Sequence, residues 1–184
     1  MARTESTMLE LQTSAPDFAL KDVTTEQEFT LQSTRGPKGL LVMFLCTHCP
    51  FVKHLEQALA QLGHDYSGKG IGIVAISSND AATSPEDSPA GLAQQAKKFG
   101  FNFPYLYDET QQVAHAYKAA CTPDFFLFED NLKLVYRGQF DASRPGNGVP
   151  VTGEELRAAL DAVIAGQPVN PDQCSSLGCN IKWK

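Results

Sequence analysis

The stretch Gly39-Leu40-Leu41-Val42-Met43-Phe44-Leu45-Cys46-Thr47-His48-Cys49-Pro50 contains two different local patterns. Residues 39–45 form a continuous apolar run that is too short for a helix, which predicts a strand buried on both faces of a sheet. Apolar residues then recur at helical spacing, which predicts a helix from Pro50 to Leu62, with Gly63 as its C-terminal cap. The two cysteines therefore lie at the junction between a buried strand and a helix.

The rest of the chain alternates strand and helix patterns. The predicted strands are a buried strand at 71–76, a strand at 104–107 and a hairpin of 125–128 and 133–137. The predicted helices run from Ser88-Pro89 to Gly100, from an Asp108/Gln111 capping box to Ala119, and from a Thr152/Glu155 capping box to Gly166. A polar and mobile loop is predicted at 79–88, and a second loop at 141–150. This order predicts an α/β fold in which helices cover both faces of the sheet.

The length of 184 residues suits one domain, 1–184. We divide it into an N-terminal hairpin at 14–34, a core at 39–166 with an insertion at 79–100, and an irregular tail at 167–184 that contains two cysteines. The N-terminal hairpin, the insertion and the tail are the parts in which we expect substrate choice to be determined.

The composition excludes several classes of protein. A net charge of −6 argues against a nucleic-acid partner bound through a basic face. No apolar run approaches the roughly 20 residues that span a bilayer, so no membrane partner is expected. Residues 1–12 lack the apolar segment of a secretory signal. These features predict a cytoplasmic protein, where thiols stay largely reduced.

The cysteines carry the chemistry that the sequence suggests. There are five, and an odd number does not fit a secreted disulfide scaffold. Cys46 and Cys49 are separated by two residues at a helix start, where unpaired N–H groups favour a thiolate, the species that reacts in disulfide exchange. His48 adds positive charge when it is protonated, which also favours the thiolate.

Two structural alternatives to redox chemistry remain for this pair. A zinc site would need Cys174 and Cys179 as its other half, but their spacing differs from the usual two-residue separation. A structural disulfide between Cys46 and Cys49 would close a very small loop and add little stability. We therefore expect neither a metal nor any other cofactor.

Five further motifs complete the pattern. They are Ala15-Pro16-Asp17-Phe18-Ala19-Leu20-Lys21-Asp22, Cys121-Thr122-Pro123-Asp124-Phe125-Phe126, Tyr136-Arg137-Gly138-Gln139, Ser143-Arg144-Pro145-Gly146-Asn147-Gly148 and Gly178-Cys179-Asn180-Ile181-Lys182-Trp183. With Cys46-Thr47-His48-Cys49-Pro50, they make the chain resemble thioredoxin-superfamily redoxins of the alkyl hydroperoxide reductase, thiol-specific antioxidant and TlpA-like group. The match is closest to uncharacterised bacterial thioredoxin-family proteins with a CxHCP motif, and it covers roughly residues 14–184.

This resemblance implies a thioredoxin-like fold with a central mixed sheet, and a cis-proline at Pro123 packed beside the cysteines. It implies a thiol–disulfide oxidoreductase in which Cys46 is the more exposed nucleophile and Cys49 resolves the mixed disulfide. Thr47, His48, Pro50, Thr122 and Pro123 would shape the site. Partners would be a protein or small-molecule thiol or disulfide substrate and an unidentified reductant; the oligomeric state stays open.

Two alternatives to this function follow from the same resemblance. A thiol peroxidase would use Cys49, which precedes Pro50, as its peroxidatic residue. Peroxidases of this kind place a threonine three residues earlier, where this chain has Cys46, and an arginine near 121–123, where it has none. A copper-binding thioredoxin-fold protein without turnover would use the cysteine pair with His48 or His54.

The remaining thiols and the proton acceptor are open questions at this stage. Cys121 is either a third redox thiol or a small buried residue. Cys179 and Cys174 are either an additional redox pair or a local disulfide that holds the tail. Thioredoxin has a buried acid in the strand before its cysteines, but residues 40–45 contain no ionisable group. Another base, a bound water molecule or His48 would then have to serve.

Overall fold

The computed structural model describes residues 3–184, so the first two residues of the predicted domain lie outside it. In this range the strands are β1 (Arg3–Glu5), β2 (Ala19–Asp22), β3 (Glu28–Thr30), β4 (Gly39–Phe44), β5 (Ile71–Ser77), β6 (Tyr105–Tyr107), β7 (Cys121–Thr122), β8 (Asp124–Glu129), β9 (Leu134–Gly138) and β10 (Leu177–Asn180). The helices are α1 (Leu31–Thr34), α2 (Pro50–Lys53), α3 (Glu56–Asp65), α4 (Pro89–Phe99), α5 (Gln112–Ala116) and α6 (Glu154–Ile164), with a 3₁₀ turn at Pro85–Asp87.

Strands β2–β6, β8 and β9 form the central sheet, in the order β3-β2-β6-β5-β4-β8-β9. β4 pairs parallel with β5 and antiparallel with β8, so the sheet is mixed. Every residue of β4 is buried. Its odd-numbered side chains pack with α2, α3, α4 and α6, and its even-numbered ones pack with α1 and α5. The α/β prediction with helices on both faces is confirmed.

Several elements follow the local signals closely. Ser88 accepts a hydrogen bond from the Gly91 N–H and caps α4, and Gly100 ends that helix in the left-handed region at φ 71°. Strands β8 and β9 form the predicted hairpin, and β2 and β3 form the N-terminal one. Proline at the first helical position and glycine at the helix end act through local backbone conformation. Such helix ends can therefore be predicted from the sequence without knowledge of tertiary contacts.

The predicted helix from Pro50 to Leu62 is wrong as a single element. The helix is interrupted between α2 and α3, where the Leu55 N–H donates a hydrogen bond to the Val52 carbonyl three residues earlier. Gly63 does not cap the helix, because α3 continues to Asp65. A Cβ at Gly63 would lie 2.9 Å from the Phe103 ring, so close packing explains this glycine.

The two predicted capping boxes are also wrong in detail. Asp108 accepts hydrogen bonds from the Val113 and Ala114 N–H groups, but Gln111 extends to carbonyl groups elsewhere, and α5 ends at Ala116. At α6 the carboxylate of Asp141 accepts from the Thr152 and Gly153 N–H groups instead of a Thr152/Glu155 box. In both cases a distant or longer-range partner replaces the local one.

The tail is more ordered than the sequence suggests. β10 lies between β1 and β7 and places Cys179 opposite Thr122. Gly178 makes this approach possible, because a Cβ there would lie 2.0 Å from the Thr122 carbonyl oxygen. At the chain end, Trp183 stacks on His115 with ring centroids 4.2 Å apart. The tail is therefore a packed part of the domain that reaches the cysteine pair.

Across residues 3–184, none of the helices combines the length and apolar character that crossing a membrane requires.

Candidate active site

Cys46 and Cys49 lie at the strand-to-helix junction that the sequence predicts. Cys46 follows β4, and Cys49 occupies the N-cap position of α2 with Pro50 as the first helical residue. Both side chains are fully buried and both are free thiols. The expectation that Cys46 is the more exposed of the two is therefore wrong.

The segment Thr122-Pro123 contacts both sulfur atoms. Its peptide bond is cis, as the resemblance implies. The Sγ atom of Cys46 lies 3.1 Å from the Thr122 Oγ1 atom, and the Sγ atom of Cys49 lies 3.3 Å from the Thr122 carbonyl oxygen. One residue from a distant part of the chain thus holds both thiols of the pair in place.

The contacts of Cys49 favour its thiolate. A hydrogen bond from Cys46 lowers the pKa of Cys49 most strongly; burial opposes this, and further hydrogen bonds from Cys179 and the Val52 and Phe51 N–H groups bring the pKa to about 5. The Thr122 carbonyl opposes the thiolate, because it can only accept a hydrogen bond. Four donors outweigh that one acceptor, so the negative charge of the reduced pair resides on Cys49.

Cys46 has the opposite environment. Burial, its hydrogen bond to Cys49 and the nearby charge of Asp87 raise the pKa of Cys46 well above its usual range, while Thr122 partly offsets the rise. Cys46 is therefore the thiol that donates its proton toward Cys49 in the reduced protein.

Asp87 is a functional candidate that the sequence interpretation missed. It comes from the predicted mobile loop, yet it is fully buried. Its carboxylate accepts from the Thr47 N–H at 2.7 Å, the Thr47 hydroxyl at 2.7 Å, Asn79 Nδ2 at 2.8 Å and His48 Nδ1 at 2.5 Å. Burial raises the pKa of Asp87, but these hydrogen bonds and the charge of His48 outweigh it and lower the pKa overall.

This carboxylate places an acid beside Cys46, although β4 itself contains none. A carboxylate oxygen of Asp87, a ring nitrogen of His48 and Cys46 Sγ lie within 4.8 Å of one another. The predicted mobile loop is instead held by hydrogen bonds to other segments, between Asp87 and Thr47 and between Asn79 and the tail. Asn79 bonds Asp87 with its amide and accepts from the Lys182 N–H of the tail with its oxygen. A signal was present in the acidic pair Glu86-Asp87, but Thr47 and His48, the partners that connect Asp87 to the site, lie 40 and 39 residues away.

The same three groups bear on the metal-binding alternative. Cys46, His48 and Asp87 could each offer one ligand atom. His54 does not join them, because its Nε2 atom lies 2.7 Å from the Ser143 hydroxyl. The copper interpretation stays a prediction for His48 and receives no geometric support for His54.

The other three cysteines have different environments. Cys179 is buried, and it acts as a donor that lowers the pKa of Cys49. Cys121 is buried, and burial together with the charges of Asp124 and Cys49 raises its pKa. Cys174 is exposed, and its carbonyl accepts a hydrogen bond from the Gln139 N–H. The predicted tail pair is therefore not a disulfide here, and Cys179 is the member of that pair that lies beside Cys46 and Cys49.

A second buried acid lies one residue beyond the cis-proline. Asp124 is fully buried, and its Oδ2 atom has no hydrogen-bond partner among the described residues. Burial raises the pKa of Asp124 to about 8, although Ser176 and the Phe125 N–H act in the opposite direction. The sequence placed this residue in a recognised motif but gave no sign of its protonation.

This fold and this dithiol define a thioredoxin-superfamily redox protein. The chain belongs to the AhpC/TSA family, whose sequence profile matches residues 11–137. It is 30% identical over 128 residues to the thiol-disulfide oxidoreductase ResA of Geobacillus kaustophilus, a match that covers 70% of this chain and 68% of that protein.

Two crystal structures are similar over nearly their whole length. One is an uncharacterized conserved protein from Geobacillus kaustophilus, with 53% identity and a TM-score of 0.98, covering 100% of this chain and 97% of that one. The other is a hypothetical protein from Sinorhizobium meliloti, with 49% identity, a TM-score of 0.96 and 98% of each chain covered.

Proposed function

We propose that this chain is a thiol–disulfide oxidoreductase whose redox couple is the Cys46–Cys49 pair. The observation that carries the proposal is the shared contact of both buried sulfur atoms with Thr122, at the start of α2. A relative that is 30% identical bears the name thiol-disulfide oxidoreductase, which supports the same chemistry.

The reaction proceeds in two exchanges. The Cys49 thiolate attacks a substrate disulfide, a Cys49–substrate disulfide forms, and the other substrate sulfur leaves as a thiolate. Cys46 then attacks the Cys49 sulfur, the second substrate thiolate leaves, and it takes up the proton that Cys46 releases. The substrate gains two electrons and the protein gains the Cys46–Cys49 disulfide.

This order differs from the sequence-based assignment, in which Cys46 attacks and Cys49 resolves. The proposed order is supported by the donors around Cys49 and by the carboxylate of Asp87 near Cys46. Both assignments use the same two residues. They differ in which single cysteine-to-serine variant keeps the thiol that reacts rapidly with a disulfide.

The initial reaction with the aromatic disulfide DTNB at pH 6 distinguishes the two orders. We expect Cys49→Ser to slow the first release of thionitrobenzoate by about tenfold, because the variant loses the thiol that is mostly thiolate at this pH. The loss is no larger because a thiolate of low pKa is also a weaker nucleophile. Cys46→Ser keeps a hydroxyl donor toward Cys49 and should react within about threefold of the wild type. The reverse ranking would establish Cys46 as the attacking residue.

A thiol peroxidase that uses Cys49 is the second candidate, and the same thiolate contacts favour it. Stopped-flow measurement of thiol oxidation by hydrogen peroxide tests it. Oxidation no faster than that of free cysteine would eliminate this candidate and leave disulfide exchange unaffected.

Asp87 should set the pH dependence of the pair as a positioning residue. We expect Asp87→Asn to move the titration of the Cys46 thiol, seen as the second rise in ultraviolet thiolate absorbance, about one pH unit lower, because a negative charge near Cys46 is removed. Asp172→Asn, at an exposed site in the tail, is the matched control. A shift to higher pH would show that Asp87 acts through the charge it holds on His48.

A further inference from the structure

Cys179 joins the pair as a third thiol that the proposed two-cysteine mechanism does not use. β10 runs antiparallel to β7 and places Cys179 opposite Thr122, the residue that contacts both Cys46 and Cys49. β10 also contacts α2, the helix that Cys49 begins, and Cys179 acts as a donor that lowers the pKa of Cys49. Cys49 therefore has two neighbouring thiols, Cys46 and Cys179.

Of these three thiols, Cys179 is the one that borders a groove at the surface. The groove lies beside the site and is lined by Arg3, Pro50, Phe51, Arg144, Leu177 and Cys179 among others. Cys46 and Cys49 are not among its lining residues. A disulfide that includes Cys179 therefore borders the groove, whereas the Cys46–Cys49 disulfide does not.

We propose that Cys179 is a relay thiol that carries the disulfide from the Cys46–Cys49 pair to the groove, where a thiol reductant reaches it. The Cys179 thiolate attacks the Cys49 sulfur of the Cys46–Cys49 disulfide. The Cys179–Cys49 bond forms, and the electron pair of the broken bond leaves with Cys46, which takes up the proton that Cys179 gave up. One disulfide and one thiol are present before and after, so no external oxidant takes part.

The electrostatics make this exchange depend on the redox state. Burial, the hydrogen bond to Cys49 and the Cys49 charge raise the pKa of Cys179 to about 12, while Lys182 acts in the opposite direction. When Cys49 is in a disulfide, its thiolate is gone and two of the three raising effects disappear. Cys179 therefore becomes a better nucleophile only after the pair has been oxidised.

The relay rests on the proposed function, so its test must separate the two. We use the full chain with Cys46→Ser and Cys174→Ser, which leaves Cys179 as the only cysteine of residues 158–182. One equivalent of DTNB is added, and the adducts and disulfides are mapped by mass spectrometry after tryptic digestion. The matched control carries Cys179→Ser in addition.

We expect two equivalents of thionitrobenzoate from the first variant and a disulfide that links residues 39–53 to residues 158–182. The control should release one equivalent and keep a stable adduct on Cys49. A stable Cys49 adduct in both variants would overturn the relay and leave the proposed function standing. No adduct on Cys49 in the control would contradict the proposed function itself.

Disulfide mapping of the wild-type chain does not depend on how any variant folds, and complete absence of a Cys49–Cys179 disulfide there would overturn the relay. After oxidation by oxidised dithiothreitol and an acid quench, a share of the molecules should hold the Cys49–Cys179 disulfide. The rate comparison with Cys179→Ser comes second, after thermal unfolding has shown that this variant is folded. Cys179→Ser should slow reduction of the oxidised chain by glutathione at least about fivefold. Reduction at the wild-type rate would overturn the relay.

Discussion

A chain that carries Cys49→Ser should reduce the disulfides of insulin at roughly one thousandth of the wild-type rate or less. Cys49 is the one residue that takes part in both exchanges, first as the attacking thiolate and then as the sulfur that Cys46 attacks. Serine at this position can form neither disulfide, and losses of this size are typical when a covalent catalytic residue is removed. Turnover is measured with excess dithiothreitol as reductant.

The exposed Cys174 supplies the matched control for this loss. Its side chain lies outside the pair, so Cys174→Ser removes one thiol and should keep the full rate. Thermal unfolding of both variants shows whether each is folded. Wild-type turnover in a folded Cys49→Ser chain would remove Cys49 from the mechanism.

The second large effect concerns stability and depends on Asp124. Asp124→Asn should stabilise the chain relative to the wild type by an amount that grows between about pH 4 and pH 8. The native pKa of Asp124 is about 8, while an unfolded aspartate titrates near about 3.9. Asparagine keeps the shape of the protonated acid and does not titrate, so it removes this pH dependence.

Linkage fixes the direction of this effect. Between the two pKa values the native chain holds a proton on Asp124 that the unfolded chain has released, so wild-type stability is lost as pH rises through this window. At about 1.36 kcal/mol per pKa unit, the two pKa values set an upper limit of about 5.5 kcal/mol, and relaxation of the buried site reduces the observed difference to about half of that. Above pH 8 the two curves should run parallel.

Urea unfolding at pH 5 and pH 8 measures this difference. The informative quantity is how the difference in unfolding free energy between variant and wild type changes with pH. The amide of asparagine, buried at the unpartnered Oδ2 position, adds a destabilisation of its own, but that does not depend on pH. Asp172→Asn, an exposed aspartate of the tail, should follow the wild-type curve. An equal stability difference at both pH values would show that Asp124 is not protonated in the native chain.

The elements that local sequence determines were predictable. The apolar run of β4, the helix from Ser88-Pro89 to Gly100, and the position of Cys46 and Cys49 all follow from spacing and from residues that begin or end a helix. The resemblance added the cis bond before Pro123 and the mixed sheet. Each of these features depends on residues close in sequence or on a recognised motif.

The features that could not be predicted from the sequence depend on contacts between distant residues. Asp87 lies in a polar loop that looks mobile, and its burial becomes evident only when Thr47 and Asn79 supply the hydrogen bonds that a buried carboxylate needs. The Cys179 strand is short and begins with Leu177-Gly178, so it forms because β1 and β7 pair with it. No local propensity predicts such a strand.

The predicted roles of the two cysteines differ from the proposal for the same reason. CxxC spacing and the helix start favour a thiolate somewhere in the pair, but they do not determine on which sulfur the charge resides. That depends on Cys179 and on Asp87, which come from two separate segments far along the chain from the pair. The assignment therefore required tertiary structure.

Thiol mapping across defined redox buffers tests the central claim most directly. The wild-type chain is equilibrated in reduced and oxidised dithiothreitol at graded ratios, quenched with acid and alkylated. Residues 39–53 form one tryptic peptide that holds both Cys46 and Cys49. The central claim predicts that the doubly alkylated form of this peptide disappears in a two-electron transition. It is replaced by an unalkylated form that has lost two hydrogen atoms, together with the share that is linked through Cys49 to residues 158–182. A peptide that stays doubly alkylated at every ratio, while other cysteines oxidise, would contradict it.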